Sequence, residues 1–426
     1  MSEPQALPVG TGDRGPAVDP KLGPAALRRS LVFLFITVVL DMLAFGMAWP
    51  VLPRLIEGFV HHDTARAAVL FGLFNTLWAL MQFLFMPFIG SLSDRVGRRP
   101  VLILSIAGLG LDFLLMALAP SLGWLLAGRV ISGITSANVA TANAYVADIA
   151  PPEKRSSSLG VILAAYGIGA IMGPALGGLL GAVNPRLPFW MAAIFCLANA
   201  HYGLIVLPES LPKERRVPFD WMRANPVGSL LMLARRPSLY GLAALKFLTD
   251  LSYASLITIF VLFAEHRFGW GVRGVGMGYA AVGLQIVLVQ GTLVGRANRR
   301  FGERVVLPVT LIFGIVAFGI LALVRYPVWA FLATPLLALC TIAQPTILGL
   351  LTRRADPTEQ GRLQGALSSV QGVVGLIGPA LFTQTFSHFI SPGAAYIPGA
   401  PFLLAGALLV VAMPLAFGVT RPRITA

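Results

Sequence analysis

Five ionisable side chains stand inside long apolar stretches of this 426-residue chain: Asp41, Asp112, Arg129, Lys246 and Asp250. A charge at the centre of a bilayer costs about 2.5 to 3.5 kcal/mol even on the most lenient scale, so each needs an opposite charge or a wet cavity. Carboxylates in such surroundings bind and release protons, and they hold charged groups of a ligand. The sequence therefore indicates proton or ligand chemistry inside a membrane, and we predict that all five residues take part in proton coupling.

The depths of three of these residues predict a contact. At about 1.5 Å per residue, Asp112 lies roughly 18 Å from one edge of its apolar stretch and Arg129 roughly 10 Å from the opposite edge. In a hydrocarbon core about 30 Å thick these two levels nearly coincide, and Asp41 lies about 15 Å deep. We expect Arg129 to be held by Asp112, by Asp41 or by both, with protonation of one carboxylate loosening the contact. The alternative is a static salt bridge that fixes helix packing.

Lys246 and Asp250 are four residues apart, so they share one face of a helix. This pair is a site of proton coupling, a site that binds an anionic group, or a self-neutralising pair that faces a cavity. We favour the self-neutralising pair.

The elements that must position these side chains are membrane-spanning helices. Apolar residues make up 56% of the chain and charged residues only 12%, which excludes an ordinary soluble enzyme, a disordered protein and a secreted disulfide scaffold. Twelve continuous apolar stretches are long enough to cross a bilayer, and their length excludes a β-barrel. They lie at 31–53, 67–89, 100–119, 122–148, 158–182, 186–207, 239–263, 275–298, 304–324, 327–352, 363–386 and 398–418. We call them spans one to twelve.

The Lys and Arg residues predict the orientation and the domain limits. Of these residues, 24 fall on the side of the termini and 6 on the other side, which predicts cytoplasmic termini and accounts for the net charge of +14 without nucleic acid. We expect a disordered cytoplasmic tail, two bundles of six helices, a cytoplasmic linker between them and a second tail. Their predicted limits are 1–30, 31–207, 208–238, 239–418 and 419–426.

The two bundles repeat one another. The segment Gly90–Leu102 matches Gly295–Leu307 at Gly, Arg, Gly, Arg, Val and Leu, and Gly-Pro-Ala-Leu occurs at 173–176 and again at 378–381. Both pairs have an offset of 205 residues, which also relates Asp41 to Lys246. An even number of spans returns the chain to the same side, so the repeats run parallel. Such repeats are typical of secondary transporters, whose ligand binds between the halves near the midplane.

These motifs resemble the major facilitator superfamily. Gly90–Leu102 is similar to its signature loop between spans two and three, Arg129–Gly133 resembles an Arg-x-x-x-Gly motif, and Gly169–Gly178 resembles the span-five motif of drug–proton antiporters. Within that branch the chain looks most like the tetracycline efflux transporters. A His and an Asp that those transporters use align here with Ile286 and Ile312, so a route through that pair does not carry over.

The resemblance implies roles for three sets of residues. A gating loop, which would latch the halves with the Asp94 carboxylate near a helix N-terminus of the other half, contains Gly90, Asp94, Arg95, Gly97, Arg98 and Arg99. A tight seam between spans five and eight would contain Gly169, Gly173, Pro174, Gly177 and Gly178. From polar residues within spans we predict the substrate contacts Asn75, Gln82, Asn143 and Gln290.

We therefore predict an all-α membrane protein of twelve helices in two parallel six-helix repeats. The predicted function is export of an amphipathic small molecule, such as tetracycline or another drug, free or as a metal chelate, in exchange for protons across the bacterial inner membrane. A proton-coupled metabolite exporter or importer and a non-transporting sensor are the alternatives. The sequence contains no nucleotide-binding loop and no metal-ligand spacing, so we predict no enzyme activity and no cofactor. The expected partners are the substrate, protons and lipid, and a monomer is expected to function.

Overall fold

The computed structural model describes residues 24–136, 138–217, 237–354 and 360–419. Most of the predicted N-terminal tail, part of the linker and the end of the chain lie outside these residues. Within the described ranges the regular structure is helical, with no strand.

The helices of the first half follow the predicted spans, although span one begins at Pro24 rather than at residue 31. A turn interrupts span one before its last eight residues, and span four consists of two helices. Spans one to six are Pro24–Ala48 with Leu52–Phe59, Thr64–Val96, Arg98–Leu118, Leu122–Thr135 with Asn138–Ile149, Pro152–Val183 and Leu187–Val206.

The second half repeats this order, and a short polar helix, Val294–Phe301, precedes its third span. Spans seven to twelve are Pro237–Phe268, Val272–Thr292, Glu303–Leu323, Pro327–Cys340 with Ala343–Arg354, Gln360–Ile390 and Ala400–Val419. Eleven helices in the described ranges are long and apolar enough to cross a membrane. The twelfth crossing is span four, which the described residues divide into two helices, Leu122–Thr135 and Asn138–Ile149.

The duplication is visible in the helix limits. Span three, Arg98–Leu118, and span nine, Glu303–Leu323, begin and end 205 residues apart. Both follow a glycine with positive φ, Gly97 at 114° and Gly302 at 69°, where a side chain would be strained. Spans four and ten are interrupted at the same offset, between their 14-residue and 12-residue helices. The two halves thus share local backbone features as well as span order.

The halves meet along two pairs of helices. Span five packs on span eight, where a Cβ on Gly178 would lie 2.9 Å from the Cα of Gly276. Span two packs on span eleven, where the Thr76 hydroxyl donates to the Leu376 carbonyl at 3.3 Å, and Gly72 leaves room for Thr383. We call the membrane face where span one begins and span twelve ends the terminal face, and the other the distal face. The glycines at 72, 178 and 276 all lie toward the distal face.

Candidate functional site

A cavity of about 770 Å³ lies between the halves, on the terminal-face side of these close contacts. Its walls are mostly apolar and aromatic, with a few polar groups, as in sites for small organic ligands. The first half supplies the larger share of the lining, chiefly from spans one, two and four, and span eleven supplies most of the rest. Lining residues include Asp41, Phe45, Trp78, Gln82, Ser132, Ser136, Tyr166, Ile257, Ser368, Ser369 and Gln371.

Span two is tied to span four beside the cavity. The Trp78 indole N–H donates to the Ser132 hydroxyl at 3.0 Å, and the Gln82 amide donates to the Ser136 hydroxyl at 2.8 Å. Ser136 follows the last residue of the first helix of span four, so the interruption exposes a polar group to the cavity. Gln82, one of the predicted substrate contacts, is among the lining residues.

Arg129 pairs with Asp112 rather than with Asp41. One guanidinium nitrogen of Arg129 lies 2.6 Å from Asp112 Oδ2, and the two side chains are 3% and 0% exposed. Gly128 makes room for this pair, since a Cβ there would lie 2.5 Å from Asp112 Oδ1. Asp41 lines the cavity instead.

In the second half three side chains close a polar ring. Lys246 Nζ lies 2.8 Å from Asp250 Oδ2 and donates to Gln344 Oε1 at 3.1 Å. The Gln344 amide nitrogen in turn donates to Asp250 Oδ1. Gln344 belongs to span ten and stands at the second position after its interruption. Sequence reasoning did not place Gln344 beside the charged pair, because the two lie on different spans.

The gating loop forms a network within the first half. Arg98 pairs with Asp94 at 2.6 Å and with Asp148, at the end of span four, at 3.1 Å. The Asp94 carbonyl accepts from the backbone N–H of Val217, so the start of the linker runs across the loop. Arg95 is exposed and Gly90 faces open space. Asp148 stands four residues before Pro152, the first residue of span five, and sequence reasoning missed it because a charge at a span end is common.

The carboxylate at a helix N-terminus is Glu209, and not Asp94. Glu209 Oε1 accepts the backbone N–H of Arg98 at 2.8 Å, and those of Ser210 and Leu211 at 3.0 and 3.1 Å. The first N–H groups of a helix have no partner within it, and a carboxylate there is favourable. The helix concerned is span three of the same half. The contact predicted between Asp94 and the other half belongs to an arrangement in which the halves close at the terminal face, whereas here the cavity lies on that side. Glu209 reaches span three because it lies three residues after the end of span six, which packs on span three.

The glycine stripe of span five packs on span one, which corrects the predicted seam. A Cβ on Gly173 would lie 2.8 Å from the Gly46 Cα, and one on Gly169 would lie 2.5 Å from the Met42 Cβ. Gly177 likewise approaches the backbone of Met47. Of the five predicted seam residues, Gly178 and the carbonyl of Pro174 approach span eight closely. Residues four apart share one helix face, whereas Gly178 is rotated about 100° from Gly177, so the two faces contact different spans.

Three predicted substrate contacts lie outside the cavity lining. The Asn75 amide donates to the Phe71 carbonyl of its own helix at 2.8 Å. Asn143 and Gln290 are exposed and are not among the lining residues. A polar residue within a span does not by itself show which face it occupies. The aromatic lining residues Phe45 and Tyr166 were missed for the same reason, since aromatic residues also face lipid.

Comparison with known proteins identifies the class. A family model described as Major Facilitator Superfamily matches residues 34–379 and 247–425. The tetracycline resistance protein of class C from Escherichia coli is 36% identical over 377 residues, which cover 88% of this chain and 94% of that protein.

Two solved structures show the same architecture. The human organic anion transporter MFSD10 (TETRAN) matches with a TM-score of 0.68 and 25% identity, covering 92% of this chain and all of that one. A bacterial homologue of the human lysosomal transporter Spinster, in an inward-facing and occupied conformation, has a TM-score of 0.74, covering 92% and 96% of the two chains. At 17% identity this second match concerns the fold alone.

Proposed function

The chain belongs to the Major Facilitator Superfamily, and on that premise we propose that it exports an amphipathic, drug-like molecule from bacteria in exchange for protons. It is a multi-pass membrane transporter and not an enzyme. The resemblance to tetracycline efflux proteins that the sequence motifs indicated is confirmed.

The observation that carries the proposal is the position of Asp41. This carboxylate lines the cavity between the halves, in the half that also holds the Asp112–Arg129 pair. A proton and the cationic group of a substrate would therefore compete for Asp41, because either one neutralises it. An antiporter requires such competition, because each half of its transport cycle carries one of the two ligands.

The walls of the cavity support an amphipathic aromatic substrate. Phe45 and Trp78 have ring centroids 5.3 Å apart, and the polar groups of Gln82 and Ser136 stand beside them. The volume of about 770 Å³ suits a drug-sized molecule. The tetracycline resistance protein at 36% identity makes tetracycline, free or as a metal chelate, the first compound to test.

The distribution of basic residues supports an orientation in the inner membrane. In the sequence, 24 Lys and Arg residues fall on the side of the chain termini against 6 on the other side, so we place the terminal face in the cytoplasm. The cavity then faces the cytoplasm, where an exporter collects its substrate, while the contacts of spans two and five seal it from outside. A single chain contains the whole cavity, which supports a working monomer in contact with lipid.

In the opposite state, the contacts toward the distal face would open and the terminal face would close. We propose that the network of Asp94, Arg98 and Asp148, with Glu209 on the helix N-terminus, holds the cytoplasmic ends of the first half in one arrangement during this change. Gly178 and Pro174 belong to the part of the molecule that opens, whereas Gly169, Gly173 and Gly177 keep spans one and five together as one body.

A second candidate is transport of an organic anion. The similarity to the human organic anion transporter favours it, and Lys246 supplies a cation within the second half. A proton-coupled metabolite transporter would have the same fold as a drug exporter. The two would differ in which added compounds cause protons to cross the membrane.

The test uses inverted membrane vesicles with an acidic interior, to which tetracycline, lipophilic cations and aromatic anions are added in turn. Export in exchange for protons predicts that a substrate dissipates the pH gradient in wild type and that Asp41→Asn abolishes this response. The matched control is Asp63→Asn, which alters a carboxylate at the N-terminus of span two, outside the cavity. A response that survives Asp41→Asn would contradict the proposed coupling residue, and the absence of a response to any compound would favour the sensor.

A further inference from the structure

The ring of Lys246, Asp250 and Gln344 differs from the other intramembrane ion pair in one respect. The side chains of Asp112 and Arg129 are 0% and 3% exposed, whereas those of Lys246 and Asp250 are 7% and 10% exposed. Both pairs are buried, and the second is the more exposed of the two. The face of span seven that bears Lys246 and Asp250 continues, seven residues on, to Ile257, which lines the cavity.

The chemistry of the ring is that of an occupied anion site. Lys246 has three N–H donors, of which one contacts the Asp250 carboxylate and one the Gln344 carbonyl oxygen. Asp250 thus takes the place that an external carboxylate would take, and its second oxygen accepts from the Gln344 amide. An amide both donates and accepts, so Gln344 can hold Asp250 in either protonation state.

We propose that Lys246, Asp250 and Gln344 form a proton-linked binding site for an anionic group of the transported molecule. The inference rests on the proposed function, in that it assigns one group of that function's substrate. Asp250 takes one proton from cavity water and leaves Lys246, and the anionic oxygen of the ligand takes its place on Nζ. The ring has zero net charge before and after this exchange, so no unpaired charge is left in the membrane.

The location of the site sets the class of ligand. Lys246 is the counterpart of Asp41 at the 205-residue offset of the repeat. Asp41 of the first half lines the cavity, and the equivalent helix position of the second half carries the Lys246 ammonium, on the same helix as the lining residue Ile257. A molecule with a cationic group and an anionic group on an aromatic frame would bind both halves at once.

Other ionisable groups lie near Asp250 on its own helix and on the helices packed against it. On its own helix these groups are Lys246 and the Tyr253 phenol; the Cys340 thiol and the Tyr166 phenol of spans ten and five interact electrostatically with Tyr253. Span twelve, which packs on span seven, has no ionisable side chain in its sequence. In the described part of span eleven beyond residue 362, the only ionisable side chain is His388, near the distal end. Span two has Arg66 near its distal end and Asp94 and Arg95 near its terminal-face end.

The experiment measures binding to the purified full-length protein of dansylglycine, an aromatic carboxylate, and of its methyl ester, which lacks the charge. Each anion bound takes up one proton, so wild type should bind the carboxylate more weakly as the pH rises, by up to about tenfold per pH unit. Asp250→Asn imitates the protonated state; it should strengthen carboxylate binding at high pH and remove the pH dependence. Lys246→Met should weaken it on the order of tenfold to a hundredfold. The ester should bind equally to all three proteins.

Several results would overturn the proposal: equal affinity of wild type for carboxylate and ester, no binding of either probe, or weaker binding of both probes to Asp250→Asn. The last would show a static pair. If Asp250→Asn does not fold, Gln344→Glu serves instead, since a second carboxylate beside Lys246 should weaken only the carboxylate probe. The vesicle assay separates this inference from the export proposal. If Lys246→Met leaves the proton flux unchanged, export is supported and this binding site is not. If the protein binds the charged probe selectively but no compound causes proton flux, the site is supported and export is not.

Discussion

Gly178 gives the sharpest test of how the cavity is sealed. Substitution by alanine would place a Cβ 2.8 Å from the Val272 carbonyl oxygen and 2.9 Å from the Gly276 Cα, both in span eight. Ordinary contact begins near 3.4 Å, so spans five and eight would have to separate by about 0.6 Å, because backbone atoms cannot rotate away. Overpacking of this kind costs about 1 to 3 kcal/mol.

This cost falls on one state of the transporter only. If the seam opens when the cavity turns to the distal face, Gly178→Ala leaves that state unaffected. The equilibrium should then shift away from the described state by a factor of about 5 to 150, the equivalent of 1 to 3 kcal/mol. A fully folded protein with an altered preference between its two states is the expected result.

The assay reports which face reaches the cavity. Cys196 and Cys340 are replaced by alanine, and Ser368→Cys places a reporter thiol on an exposed residue of the lining. An impermeant maleimide should label this thiol more slowly from the terminal face in Gly178→Ala than in the parent, and faster from the distal face. The matched control is Gly167→Ala in the same span, whose Cβ would lie 3.8 Å from Val287 of span eight and should change nothing. Equal labelling of the two variants would refute the argument that the Gly178 contact seals the cavity.

Three further outcomes follow from the contacts of the first half. Arg129→Met alone leaves the buried Asp112 charge without its partner and should destabilise the protein by about 3 to 5 kcal/mol. Adding Asp112→Leu should recover thermal stability in detergent. If it does not, the loss of the ion pair is not the cause of the destabilisation. Glu209→Ala removes the acceptor for the first N–H groups of span three and should cost about 0.5 to 2 kcal/mol, measured by thermal unfolding, whereas Glu209→Gln keeps an acceptor and should cost less. Gly97→Ala places a side chain on a backbone with φ of 114°, which costs about 1 to 3 kcal/mol, so the yield of folded protein should fall. Gly90 faces open space, so the yield of Gly90→Ala should match that of wild type.

The sequence predicted most of the fold because membranes constrain it so strongly. The length of each apolar stretch, the offset of 205 residues and the asymmetry of basic residues required no knowledge of packing. Span one was placed seven residues late because its second turn contains Arg28 and Arg29, and charged residues near a span end resemble a tail. The interruptions of spans four and ten were not predicted, since the apolar sequence continues through both.

The candidate site was predicted less completely, for a physical reason. Depth in the bilayer follows from counting residues, and it brought Asp112 and Arg129 to one level. Which face of a helix a residue occupies depends on how neighbouring helices are arranged, and counting does not supply this. Asn143 and Gln290 were therefore placed in the cavity although the structure leaves them outside the lining. Glu209 escaped notice because its role depends on a neighbouring helix end rather than on any motif.

The interruptions of spans four and ten also record the order of past events in this chain. Two breaks at one offset, each between helices of 14 and 12 residues, are most simply one break that was already present in a six-helix ancestor and was copied with it. The charges at Asp41 and Lys246 occupy corresponding positions with opposite sign, so at least one of them arose after the copy. The helix interruption is thus the older feature, and the difference in charge between the two halves is the newer one.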